Sequence, residues 1–158
     1  MRLFYSLTEI IMDIKTIGIA SDHAGYQLKQ YVKQYLDEHG IAYKDYGTLS
    51  EDSCDYSDFA HPLGTAIDNG EVDLGVAFCG SGNGMAITLN KHQKVRAALC
   101  WGTEIARLAK AHNKANVIVM PARFISYQMV TSIVNKWLET EFEGGRHERR
   151  IEKIPICQ

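Results

Sequence analysis

The four cysteines of this 158-residue chain, at 54, 79, 100 and 157, include no C-x-x-C pair and no zinc-finger spacing. Neither a redox dithiol nor a structural zinc cage is suggested, and reduced thiols in a cytoplasmic protein are the simplest reading. Charge bias is also lacking: the formal net charge is −2, the pI is near 6.3, and both signs are mixed through most of the chain. That argues against nucleic-acid or membrane-surface partners and for a small-molecule one. Long hydrophobic runs are missing too. The opening "MRLFYSLTEIIMDIK" is broken by Ser6, Thr8 and Glu9, too interrupted for a signal-peptide core and too short to span a bilayer. Residues 1–13 read as an N-terminal extension of unclear role, with Met12 an equally good start, and 14–158 as one domain long enough to bury its own core. There are no internal repeats or low-complexity segments, and neither a phosphate-binding G-x-x-x-x-G-K-[ST] nor a dinucleotide G-x-G-x-x-G occurs.

What is there is an alternation of two periodicities. "TIGIA" (Thr16 to Ala20) reads as a strand, and Tyr26 to Glu38 as a helix with Leu28, Val32, Tyr35 and Leu36 at helical spacing, ended by His39 and Gly40. "IAYKDYG" gives a second strand, and Asp58 to Asp68 a helix with Phe59, Leu63, Ala66 and Ile67 on one side. The pattern continues with "DLGVAFC", a helix from Asn83 to Asn90, "VRAALC", a helix from Thr103 to His112, "NVIVM", and a helix from Ser126 to Glu139. A polar tail containing "GGRHERR" follows Phe142. Five strands separated by helices predict an α/β fold: a three-layer, doubly wound, parallel five-stranded sheet of the Rossmann or flavodoxin-like kind.

Ligands of such sheets bind beyond the carboxyl ends of the strands. A strand order of 2-1-3-4-5 sets "SDHAG", after strand one, beside "CGSGNG", after strand three, so that Asp22, His23, Cys79 and Ser81 share a crevice. Gly80, Gly82 and Gly84 open a helix whose unpaired N–H groups and positive dipole end can hold an anion, either bound or developing in a reaction. A thiol in that position has its pKa lowered and can act as a base. The alternative is that Cys79 is a small buried hydrophobe at a strand end. Cys100 reads as core, Cys54 and Cys157 as incidental, and the acidic residues around Cys54 as a solvated loop without the oxygen density of a cation site. His39 reads as a helix terminator, and His61 and His92 as structural residues on helical segments without obvious partners. His112, with Asn113, stands at a helix end before a strand. His147 lies among Arg146, Arg149 and Arg150, a solvated basic tail or else a phosphate clamp. No metal site is expected.

The stretches "IASDHAG", "DYSDFA", "GVAFCGSGNGMAITLNK", "RAALC", "AHNKANVIVMPAR" and "EGGRHERR" together resemble the type B ribose-5-phosphate isomerases, a group that includes galactose-6-phosphate isomerase subunits. The resemblance runs in order from about Ile14 to Ile154. It implies a cytoplasmic aldose–ketose isomerase interconverting ribose 5-phosphate and ribulose 5-phosphate without metal or organic cofactor. The helix from Thr103 to His112 runs back against the strands, which sets His112 and Asn113 opposite the Cys79 loop and predicts a homodimer with shared active sites, or a tetramer. Carried over, Cys79 resembles the base that moves a proton between C1 and C2, Ser81 a residue near the sugar oxygens, and Gly80, Gly82, Asn83 and Gly84 a backbone anion hole. Asp22 and Tyr56 match sugar contacts. His112 resembles the residue that opens the sugar ring, with Asn113 beside it. His23, Arg123, Arg146 and Arg150 resemble phosphate contacts. Met85 stands where one branch has a glutamate, which places this chain with the cysteine type. Two alternatives remain: a six-carbon phosphate such as allose or galactose 6-phosphate as substrate, and a non-catalytic phospho-ligand-binding module.

Overall fold

The computed structural model describes residues 16–156; the expected extension at 1–13 and Cys157 lie outside the described residues. Five short apolar runs become strands: β1 (Ile17–Ser21), β2 (Tyr43–Asp45), β3 (Leu74–Cys79), β4 (Ala97–Leu99) and β5 (Val117–Pro121). Six helices are interleaved with them or follow: α1 (Tyr26–Glu38), α2 (Tyr56–Asp68), α3 (Asn83–Leu89), α4 (Thr103–Asn113), α5 (Tyr127–Glu139) and α6 (Arg146–Ile151). All strand pairs are parallel.

The strand order is β2-β1-β3-β5-β4. β1 and β3 are neighbours as expected, but the last two strands are exchanged relative to 2-1-3-4-5. Burial gives the reason. Every residue of β5 is buried, so it fits between two neighbours, whereas the three residues of β4 are only half-buried and suit an edge. The edge is closed locally by Asn90, whose side-chain amide donates to Ala97 O (2.9 Å) while its Oδ1 accepts from Ala97 N (2.8 Å).

Side chains alternate across the sheet and divide the core into two layers. Ile17, Ile19, Val76, Phe78, Ile118 and Met120 pack with α1, α4 and α5, around the fully buried Trp137. Ala20, Ala77, Cys79, Val117 and Val119 pack with α2 and α3. Cys79 therefore points to the face covered by α2 and α3. A buried cation braces the other side of the β1 terminus: Lys29, on α1, has no exposed surface and donates to Asp45 Oδ1 (2.6 Å) and to the Thr48 carbonyl (2.5 Å). Thr48 N in turn donates to Ser21 O (2.7 Å), which fixes the chain just before Asp22. Among the described residues, no helix is long and apolar enough to cross a membrane.

Candidate active site

At the carboxyl end of β1 the chain turns through a 3-10 segment, His23–Gly25, capped by Asp22, whose Oδ1 accepts from Gly25 N at 3.1 Å. Asp22 is itself buried, and its own N–H reaches across to Phe78 O (3.2 Å), tying this loop to β3. His23 Nδ1 accepts from the Cys54 N–H (3.2 Å), which in the neutral ring leaves the proton on Nε2. Cys54, read as incidental from its polar neighbours, thus stands against His23, its Sγ 3.9 Å from Nδ1.

The glycine loop after β3 is shaped by close approaches. Gly82 adopts a left-handed conformation (φ +80°), and a Cβ there would come within 2.3 Å of Leu99 Cδ1 and 3.4 Å of Pro121 N, so only glycine fits. Tyr56 opens α2 two residues before the predicted start, and its ring lies over Gly84, leaving 2.5 Å for any Cβ. The Arg123 guanidinium would lie 3.3 Å from a Cβ on Gly80, and Arg123 N donates to Gly80 O (3.0 Å). Ser81 is exposed, and its Oγ accepts from both N and Nδ2 of Asn83, each at 3.3 Å. Asp22, His23, Tyr56, Cys79, the loop Gly80 to Gly84 and Arg123 therefore gather at one end of the sheet.

Cys79 behaves differently from the sequence expectation. Burial pushes its thiol up, and the negative charge of Asp22 adds to that. The backbone N–H groups of Met85, Gly82 and Gly84 favour the thiolate and pull it down but do not win. The donors expected of a helix N-terminus are present; the low thiol pKa is not, because α3 is a seven-residue helix and Cys79 is only 4% exposed. Cys100 has burial alone acting on it and is pushed up to about 12, as suits a core residue.

The remaining predicted residues form a second cluster elsewhere. His112, in the last turn of α4, stacks on His147 with ring centroids 4.2 Å apart and planes 9° apart. Glu143 Oε2 lies 3.6 Å from Nε2 of each ring. The tail expected to be either solvated or a phosphate clamp includes a helix, α6, and His147 within it is buried. Burial, then the charges of His112 and Arg146, hold its imidazole below the usual range, with Arg150 adding to the effect and Glu143 opposing it. His147 and Glu143 are functional candidates that charge counting missed; the available signal was the i, i+4 spacing of His147 and Ile151, one face of a helix. Asn113, Arg146 and Arg150 belong to this cluster by position. It lies near the start of β5, whereas Cys79 pairs with Pro121 at its end. Four strand residues, about 13 Å, separate the two levels. One chain does not bring His112, Asn113, Arg146 and Arg150 to Cys79.

A further correction concerns His61 and His92. His92 lies in the turn after α3, and the pair does have partners: His61 Nδ1 and His92 Nε2 are 2.9 Å apart, and His92 Nδ1 is 3.1 Å from Asp68 Oδ2.

Comparison with known proteins agrees with this geometry. A family model described as Ribose/Galactose Isomerase matches residues 17–154. Ribose-5-phosphate isomerase B of Escherichia coli (strain K12) is 37% identical over 145 residues, 92% of this chain and 97% of that protein. The crystal structure of a ribose 5-phosphate isomerase from Thermotoga maritima superposes with a TM-score of 0.88 at 48% identity, covering 90% of this chain and 98% of that one. Ribose-5-phosphate isomerase B of Mycoplasma genitalium, solved with bound ribulose-5-phosphate, gives 0.84 at 38% identity, covering 88% and 93%.

Proposed function

The chain belongs to the ribose/galactose isomerase family and is a sugar-phosphate isomerase; from that premise we propose that it interconverts ribose 5-phosphate and ribulose 5-phosphate by proton transfer at Cys79. The observation that carries this reading is the place of Cys79 at the end of β3, directly before the glycine loop that opens α3, beside Asp22 and with the backbone of Gly82, Gly84 and Met85 favouring its thiolate. In the open-chain aldose the C2 proton passes to the Cys79 thiolate. Its electron pair forms the C1=C2 bond, and the carbonyl oxygen at C1 takes up the charge of an enediolate. The proton of the C2 hydroxyl then passes to the oxyanion on C1, and as the oxygen at C2 becomes the carbonyl the C1=C2 electron pair takes the thiol's proton at C1, restoring the thiolate. Backbone donors aimed at charge as it forms are commonly worth about 3–4 kcal/mol each. Here they flank the base as well, so negative charge moves a short way from sulfur to sugar oxygen instead of being created afresh. Ser81 stands beside those oxygens, and Asp22 and Tyr56 border the sugar.

A raised thiol pKa is consistent with this role but limits it: the sulfur is a strong base once ionised, and ionised only in part near neutral pH. Two measurements check the sign. Alkylation of Cys79 by iodoacetamide, followed peptide by peptide, should rise with pH to a midpoint above that of an ordinary thiol. In Asp22→Asn the midpoint should move to lower pH, because the nearby negative charge is gone. The acid limb of kcat/KM should follow the alkylation curve. A midpoint below the ordinary value, or one that Asp22→Asn leaves in place, would refute the balance described above.

Phosphate binding and ring opening call for His112, Asn113, Arg146 and Arg150, which lie at the other end of the strands. We place these residues in the site of a second copy of the chain, a homodimer with two shared sites. Exposed Leu49, Trp101 and Phe124 lie on the connections that follow β2, β4 and β5 and offer apolar surface for such contact.

Turnover in D2O tests the reaction. Ribulose 5-phosphate formed from ribose 5-phosphate should carry deuterium at C1, and kcat/KM should exceed that for allose or galactose 6-phosphate by tenfold or more. Product without deuterium together with an undiminished rate in Cys79→Ala would rule out proton transfer through Cys79, and preference for a six-carbon substrate would overturn the five-carbon assignment.

A further inference from the structure

We propose that His112, Glu143 and His147 form a binding site for a divalent transition-metal ion, with zinc the natural occupant. One ring nitrogen of each histidine and a carboxylate oxygen of Glu143 all lie within 4.8 Å of one another, and they are the only such group of three among the described residues. Tetrahedral zinc, bound to nitrogen and oxygen at about 2.0–2.1 Å, sets its ligand atoms about 3.3–3.4 Å apart. The two histidine–glutamate separations are already 3.6 Å, and both involve the same oxygen. Both nitrogens face the same oxygen, but the stacked rings hold their lone pairs in near-parallel planes, so binding requires the partly exposed His112 ring to turn out of the stack toward Glu143.

The backbone holds all three ligands in place. Glu143 N donates to Ala111 O (3.0 Å), fastening the segment to the end of α4 next to His112, and His147 N donates to Gly144 O (3.0 Å). Gly144 and Gly145, at φ +66° and +56°, make the turn that folds Glu143 back toward His147. His147 is buried, but Glu143 is half-exposed, leaving one side of the triangle open to water. Three protein ligands with an open fourth position describe an exchangeable site, not a structural one. Two imidazoles favour zinc, copper, nickel or cobalt over magnesium or calcium. Arg146 and Arg150 place positive charge nearby, which weakens the hold on any cation. Resting on the function proposed above, an ion held here takes His112 out of the reaction and inhibits it reversibly.

Binding is measured on metal-free protein without sugar, by competition for zinc against a chromophoric chelator and by the visible spectrum of cobalt. Wild type and Cys79→Ala should each take up one ion per chain and show tetrahedral cobalt bands. Glu143→Gln and His147→Gln should each weaken binding at least ~tenfold, with circular dichroism confirming their fold. Absence of uptake, or uptake that survives in Glu143→Gln and disappears in Cys79→Ala, would overturn the site. Turnover then separates the two readings. Zinc should inhibit wild type and spare Glu143→Gln. Binding that depends on Glu143 while turnover is unaffected supports the metal site and removes His112 from the reaction.

Discussion

Cys79→Ala is expected to fold like the wild type and to lose roughly 10²–10⁴-fold in kcat, the usual contribution of a positioned proton acceptor. Only the sulfur is removed. The loop conformation is set by the left-handed Gly82, by its approach to Leu99 and Pro121, and by the Ala122 N–H bonded to Cys79 O (2.9 Å), all of which remain in the variant. The backbone donors of the loop therefore stay in position, and KM should change far less than kcat. Cys100→Ala is the matched control. Its sulfur is buried in the opposite layer, so the substitution should lower the melting temperature and leave kcat near wild type. If Cys79→Ala kept kcat within tenfold of wild type, the proton would have to be carried by another group.

The second large effect is a gain. Inactive Cys79→Ala and inactive His112→Ala, mixed and allowed to exchange subunits, should recover about a quarter of wild-type activity. Random exchange makes about half the dimers mixed, and each mixed dimer holds one intact site and one doubly defective site. The structural basis is the register of β3 on β5, which sets Cys79 at one end of the strands and the helix bearing His112 at the other. Mass spectrometry of intact dimers confirms exchange. Exchange without recovery would mean that His112 serves its own chain or serves no catalytic purpose.

Much of this was legible in the sequence because short-range rules govern it. The helix Tyr26–Glu38 lies where its apolar spacing and Gly40 place it, and Cys79 ends its strand as its apolar run indicates. The features that were not legible depend on distant partners. The exchange of β4 and β5 turns on which strand is apolar on both faces, a comparison between "VIVMP" and "AAL" that no single run reveals. The ionisation of Cys79 was read from the helix alone, while burial and Asp22, from a loop 57 positions away, decide its direction. His147 looked solvated because its neighbours are arginines, but packing against His112 buries it. Cys54, His61 and His92 likewise acquired partners only through the fold.

Asn90 gives the molecule a way to age. Its carboxamide occupies the outer edge of β4 as one residue of a missing strand would, with donor and acceptor both matched to Ala97. Slow hydrolysis of that amide, the familiar deamidation of stored protein, replaces the donating nitrogen with a second carboxylate oxygen. An oxygen then faces the Ala97 carbonyl at the 2.9 Å now spanned by a hydrogen bond, and the two repel. The alanine-rich edge is left to find another partner, and the nearest one in a concentrated sample is the same edge of another damaged molecule. Asn90→Asp, which makes the deamidated form directly, should therefore self-associate in concentrated samples while its kcat per folded molecule stays near wild type.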